Sequence, residues 1–168
     1  MKKIGLLSDT HCFIHKDLFE FFKDCDEIWH AGDIGNVETA LAFEKYKSFR
    51  AVFGNIDGTD VRAMYPLHQH FTCEQVEVWI THIGGYPGKY APNVRKEIIA
   101  HPPQLFISGH SHILKVIYDK KLKLLHINPG AAGKTGMHQV MTAVRFEING
   151  NNISNLEIIE LGKRSECY

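Results

Sequence analysis

Five strand-like runs in this chain each stop at a small polar cluster, and the clusters carry carboxylates, an amide and imidazoles. They are Asp9-Thr10-His11, Gly32-Asp33, Gly54-Asn55-Ile56-Asp57, Thr81-His82 and Gly109-His110-Ser111-His112. The preceding runs span residues 4–7, 27–30, 49–53, 76–81 and 105–108, and short apolar runs of this kind read as buried strands. Helix-like segments separate the first three runs. One holds Leu18, Phe19, Phe21 and Phe22 and ends near Asp24; the other spans residues 37–46, with Val37, Ala40, Leu41 and Phe43 inward. Strand–helix–strand–helix order predicts a parallel sheet with right-handed crossovers. Ligands bind beyond the carboxyl ends of such strands, so the five clusters are expected on one rim.

The second half changes character. Residues 71–72 and 76–81 read as paired strands, residues 91–100 as a helix, and residues 114–118 and 122–127 as a hairpin about Asp119-Lys120-Lys121. Residues 140–148 and 153–161 flank Asn149-Gly150-Asn151-Asn152, and Asn-Gly is a strong hairpin signal. The expected fold class is α/β: a layered α-β-β-α sandwich with two mixed sheets, the second mainly antiparallel, and helices outside. The 168 residues suit a single domain spanning 1–168.

Composition narrows the function classes. Hydrophobic residues at 44% and charged residues at 23% allow a packed core and argue against disorder. Lys+Arg and Asp+Glu are equal at 19, so no overall basic field favours long nucleic acid. Cys12, Cys25, Cys73 and Cys167 show no CxxC spacing, which fits reduced thiols. The first apolar run is too short for a signal core or a membrane span. A cytoplasmic protein without membrane association is expected.

The histidines number 11, and four of them fall in the clusters. Asp9 and His11 lie two apart, as do His110 and His112. In an extended segment this spacing turns both side chains to one face. In a strand-end loop it lets one stretch serve two neighbouring ions. Gly32, Gly54 and Gly109 remove side-chain bulk where the backbone passes close to the site. The candidate metal ligands are Asp9, His11, Asp33, Asn55, His82, His110 and His112. This mixture suits Mn²⁺, Fe²⁺, Zn²⁺ or Ni²⁺ better than Ca²⁺ or Mg²⁺, and the lack of thiolates argues against a structural zinc knuckle. Seven donors exceed the needs of one four-coordinate ion and suit two ions roughly 3.5–4 Å apart.

The order D-x-H, GD, GN-x-D, H and GH-x-H resembles the calcineurin-like metallophosphoesterase superfamily. The short length resembles its small prokaryotic phosphodiesterase branch, which is related to the metal-free retromer scaffold subunit. Asn128-Pro129-Gly130 looks like that branch's late NPG loop, so the likeness runs from Asp9 to Gly130. The resemblance implies a two-metal phosphodiesterase in which a metal-bridging hydroxide attacks phosphorus in line. It implies two divalent transition-metal ions, manganese first, with nickel, iron, zinc or cobalt as alternatives. Asp9, His11 and His112 would hold the first ion, Asn55, His82 and His110 the second, and Asp33 both; Asp33, His82 and Asn55 form the catalytic centre. The expected partner is a small phosphoester, with neither long nucleic acid nor membrane, and a homo-oligomer is left open. Two other readings stand beside it, a metal-poor scaffold like the retromer subunit and a nuclease. Two departures matter. Ile56 stands where many members have a proton-donating histidine, as the small branch also lacks it. Ile83-Gly84-Gly85 follows His82 where relatives have H-G-H. Substrate specificity is expected in rim loops such as residues 84–92.

Other polar residues receive plainer readings. Asp57 is expected to support the site from behind or to cap a helix. His30 and His126 read as buried and hydrogen-bonded. His15, His68, His70, His101 and His138 have no motif around them. Gly133-Lys134-Thr135-Gly136 echoes a phosphate loop without its spacing or its strand-to-helix setting, leaving Lys134 only as a candidate substrate contact.

Overall fold

The structure, a computed structural model, describes residues 1–165; Cys167 lies outside the described residues. The first half runs β1 (Lys2–Leu7), α1 (Asp17–Phe21), β2 (Glu27–His30), α2 (Val37–Tyr46), β3 (Ser48–Ala51), α3 (Thr59–Met64), β4 (His68–Cys73) and β5 (Val76–Thr81). The second runs β6 (Gly85–Tyr86), β7 (Lys89–Tyr90), α4 (Pro92–Ala100), β8 (Leu105–Ile107), β9 (Leu114–Asp119), β10 (Leu124–Pro129), β11 (Val140–Asn149) and β12 (Asn152–Lys163). Two five-stranded sheets form, ordered β12-β11-β1-β2-β3 and β4-β5-β8-β10-β9. In the first, β1, β2 and β3 are parallel, while β11 and β12 are antiparallel. In the second, β5, β8 and β10 are parallel, with β4 and β9 antiparallel at the edges. Both sheets are thus equally mixed, and the mainly antiparallel expectation for the second is corrected. Its parallel pairs join strands far apart in sequence, so no hairpin signal marks them.

Side-chain alternation along the strands builds the layers. Ile4, Leu6, Trp29, Val144 and Phe146 face the second sheet and meet Val78, Ile80, Ile107 and Ile127. Each such side chain, fully buried, contributes about 1.5–3 kcal/mol relative to exposure. Leu7 and Ile28 point the other way, into Leu18, Phe22 and Phe43 of the α1 and α2 layer. Trp79 and Phe106 pack outward against Val94 and Ile98 of α4. The result is the expected α-β-β-α sandwich. Gly5 lets α1 close on the sheet: a Cβ there would sit 2.5 Å from the Phe22 ring.

Asn149 pairs with Asn152 around Gly150, whose φ of +59° suits a tight hairpin. Leu41, expected inward, is 36% exposed; Thr39, Ala40 and Phe43 form the buried face of α2. The short α3 and the β6–β7 hairpin were not anticipated. Cys12, Cys25 and Cys73 are free thiols. Among the described residues no helix is long and apolar enough to cross a membrane.

Candidate metal centre

Six parallel strands deliver their carboxyl ends to one rim. In the first sheet β1 is followed by Asp9 and His11, β2 by Asp33, and β3 by Asn55. In the second, β5 is followed by His82, β8 by His110 and His112, and β10 ends at Pro129. Hydrogen bonds between the sheets, and one within the second, fix the loops. The His110 N–H donates to Asp9 Oδ2 at 3.2 Å, His82 Nδ1 to the Ala31 carbonyl at 2.8 Å, and Asn128 Nδ2 to the Gly109 carbonyl at 2.8 Å.

The ligand atoms of Asp9, His11 and His112 lie within 4.8 Å of one another, as do those of Asp9, Asp33 and His82. His112 Nε2 is 3.1 Å from Asp9 Oδ1, and His82 Nε2 is 3.2 Å from Asp33 Oδ2. Asp33 Oδ2 also lies 3.7 Å from His11 Nε2, so its carboxylate stands between the two groups. Asn55 Oδ1 is 3.1 Å from His82 Nε2, and the His110 ring packs edge-on against His82 at 5.3 Å. Asn55 and His110 therefore occupy the exposed margin, outside both compact groups.

The tautomers explain what these contacts lack. His82 Nδ1 is committed as a donor to Ala31, so neutral His82 aims a lone pair at Asp33 and Asn55 oxygens. His138 Nε2 donates to the Gly133 carbonyl at 2.8 Å, leaving its Nδ1 to accept from His112 Nδ1 at 3.2 Å. The His112 Nε2 lone pair then faces the Asp9 carboxylate. Lone pairs converging from several sides repel until a cation sits among them. Asp9 Oδ1 and His11 Nε2 are buried without a hydrogen-bond partner, a costly arrangement unless an ion is bound. The donor set and its orphaned atoms fit a divalent metal.

Backbone conformation tells the same story. Asp9, His11, Asp33, His110 and His112 all have left-handed φ between 47° and 67°. This region costs L-residues roughly 1–2 kcal/mol each and is retained where the surroundings enforce it. Glycines clear the space behind: a Cβ on Gly54 would lie 2.0 Å from Asp33 Oδ1, and one on Gly109 2.1 Å from Ser8 Oγ. Gly32, at φ +97°, passes directly against the His82 ring.

Charge balance keeps the carboxylates ionised. Without an ion in place, burial pushes the Asp9 carboxyl up, but hydrogen bonding from His112 and the charge of a protonated His82 outweigh it and hold it below the usual range. Asp33 follows the same pattern through His82 and the Ile56 N–H, which donates to Oδ1 at 3.0 Å. Burial alone would lower His82; Asp33 and Asp9 raise it instead. His110, farther from the acids, is lowered by burial.

Asp57 proves to be a clamp rather than a helix cap. Its carboxylate accepts from the N–H groups of Ile34, Gly35 and Gly54, tying the second cluster to the third. His30 ties the second to the first: Nε2 donates to Thr10 Oγ1 at 3.0 Å and Nδ1 accepts from the Gly32 N–H. His126, expected to be hydrogen-bonded, is fully buried with both ring nitrogens unpartnered. His138, which no motif singled out, orients His112; it lies 26 residues away in sequence, and no local pattern announces it. Lys134 Nζ lies over the Phe13 ring, and its loop joins β10 to β11 with no helix following.

The sequence profile of the calcineurin-like phosphoesterase superfamily domain matches residues 1–151. This chain belongs to the calcineurin-like phosphoesterase superfamily. A probable metallophosphoesterase of Methanothermobacter thermautotrophicus is 28% identical over 138 residues, covering 76% of each chain. The structure of a novel archaeal phosphodiesterase superposes with TM-score 0.73 at 20% identity, covering 94% of this chain and 99% of that one. Wild-type Vps29 of Entamoeba histolytica, in complex with zinc, superposes with TM-score 0.71 at 14% identity, covering 95% and 99%. These likenesses share the fold, and family membership makes the chain a metal-dependent hydrolase of phosphoric esters. The Ile56 side chain is 46% exposed beside Asn55 and has no proton to give.

Proposed function

We propose that this calcineurin-like phosphoesterase is a two-metal phosphodiesterase acting on small or activated phosphodiesters. The observation that carries the reading is the convergence of carboxylates and imidazoles with buried, unpartnered Asp9 Oδ1 and His11 Nε2 among them. Asp9, His11 and His112 hold the first ion, Asn55, His82 and His110 the second, and Asp33 serves both. Divalent ions held by these residues would supply Lewis-acid charge for the phosphoryl group and for activating a water near neutral pH. The chain's own groups do the rest. His138 and Ala31 hold the His112 and His82 rings in the tautomers that present Nε2. Asp57 and His30 fix the loops, so the donors need no rearrangement when substrate arrives. With Ile56 in place of an acid, the leaving group departs as an anion or takes its proton from water.

Manganese is the first choice of metal, since oxygen and imidazole donors are mixed without thiolate. Cytoplasmic residence and a small substrate agree with the balanced charge. The alternative of a metal-poor scaffold shares the Vps29 fold, but all seven candidate ligands are intact in this chain. The test is hydrolysis of bis(p-nitrophenyl) phosphate with Mn²⁺, abolished by chelator and restored by metal. No turnover with Mn²⁺, Ni²⁺, Co²⁺, Zn²⁺ or Mg²⁺ would falsify the reading.

A further inference from the structure

Beside the metal centre lies a cavity of about 420 Å³ that the catalytic reading leaves unused. Its size falls within the roughly 300–1,000 Å³ of small-molecule sites. It opens beside His110, its walls include Ile83, Tyr86, Tyr90 and Ile113, and His126 and Asn128 line it from β10. The β6–β7 hairpin forms one side. The Tyr90 hydroxyl is committed to Asp119 Oδ2 at 2.7 Å, so that residue offers the cavity ring carbon. Asn128 is fully engaged: its amide donates to the Gly109 carbonyl and Ser111 Oγ and accepts from the Gly130 N–H. His126 is the exception. It is completely buried, yet neither ring nitrogen has a partner. Buried polar groups are almost always paired, so an unpaired one lining a cavity points to a ligand.

We propose that this cavity receives the organic group of the phosphodiester, and that this group is a planar aromatic or heteroaromatic ring whose polar edge hydrogen-bonds His126. The inference rests on the phosphodiesterase reading and names its substrate class. A simple alkyl ester would leave His126 unsatisfied. Burial holds the His126 imidazole neutral, near a pKa of about 4, so it offers one N–H and one lone pair, as a heterocyclic base edge requires. Lys115 Nζ, 3.7 Å from the Tyr86 ring centroid, adds a cation to the cavity lining.

The experiment compares three diesters with a common p-nitrophenolate leaving group, carrying methyl, phenyl or 5′-thymidyl as the retained group. With Mn²⁺ present, kcat/KM should rise about 10-fold from methyl to phenyl and about 10-fold again to thymidyl, the size of one apolar contact and one hydrogen bond. His126→Phe should abolish the thymidyl-over-phenyl ratio. Tyr86→Ala, at a partly exposed wall position that does not hold the core, should cut the phenyl-over-methyl ratio several-fold. A flat series in the wild type overturns the proposal. If no diester is hydrolysed, the catalytic reading has failed, and binding of thymidine 5′-phosphate, followed by amide chemical shifts, decides the cavity separately. Shifts centred on Tyr86, Ile113 and His126, with about 10-fold weaker binding in His126→Phe, uphold it. No binding, or binding indifferent to both variants, overturns it.

Discussion

The two sheets bury one histidine each near the metal rim, and the pair differ only in what their nitrogens touch. His30, at the end of β2, is bonded on both sides, to Thr10 and to Gly32. His126, on β10, is equally buried and bonded on neither. Burial pushes both to a pKa of about 4. The first is a strut that holds two metal-binding loops in register. The second is a polar group inside an apolar cavity, without a partner from the chain. Burial and a depressed pKa therefore do not separate scaffolding from recognition; hydrogen-bond satisfaction does.

The largest expected effect lies where the two regions meet. Asp33→Asn removes the charge between the two metal groups and should lower kcat/KM by more than the ~10–100-fold typical of groups that only orient ligands. Retention of both metals and near-normal turnover would show that Asp33 does not bridge. His11→Ala and His112→Ala should each weaken one ion in preference to the other, read as a change in metal stoichiometry.

Acid stability treats the two histidines alike. Each folded-state pKa lies below the ordinary 6.5, so the unfolded chain takes up the protons first. Their contribution is intact above about pH 6.5 and is lost as pH falls towards about 4, by roughly 3 kcal/mol each. Urea unfolding of the metal-free protein across this interval should show the fall. Replacing either histidine by phenylalanine should remove about half of that pH dependence, and an unchanged slope would contradict the neutral, buried assignment. At neutral pH the same two variants should part. His30→Phe strands the buried Gly32 N–H and should cost roughly 1–3 kcal/mol, whereas His126→Phe gives up only a weak contact to the Phe106 backbone and should change stability by under about 1 kcal/mol. Equal losses would erase the distinction drawn between them.

A smaller effect is expected at Ile56. Its side chain is largely exposed, so Ile56→His can be accommodated while the backbone N–H keeps its bond to Asp33. The imidazole should accelerate alkyl phosphodiesters about 10-fold, below the ~10²–10⁴-fold of an evolved general acid, and leave nitrophenyl esters nearly unaffected. A flat dependence on leaving-group pKa in the wild type would mean that another acid acts.

The rim was legible because its signals are local. Asp9, Asp33, Asn55, His82 and the His110–His112 pair each follow a short apolar run, and five of the seven candidates then adopt left-handed φ that neighbouring glycines make room for. What escaped depended on contacts distant in sequence or on very short elements. The parallel β5–β8–β10 core joins strands with no shared turn. The six residues of α3 and the two-residue strands β6 and β7 are too short to show a period. His138 meets His112 only after β11 folds back beside β1. Leu41 fell on the exposed side of α2 because Thr39, beside the Asn36 cap, took the buried position.

The central claim is that one rim holds two ions close enough to share Asp33. Electron paramagnetic resonance of the protein loaded with saturating Mn²⁺ tests it without relying on turnover. Two ions roughly 3.5–4 Å apart should give an exchange-coupled spectrum at two equivalents per chain, collapsing to isolated-ion signals in Asp33→Asn. An isolated six-line signal from the wild type at saturation, or one equivalent bound, would contradict the account.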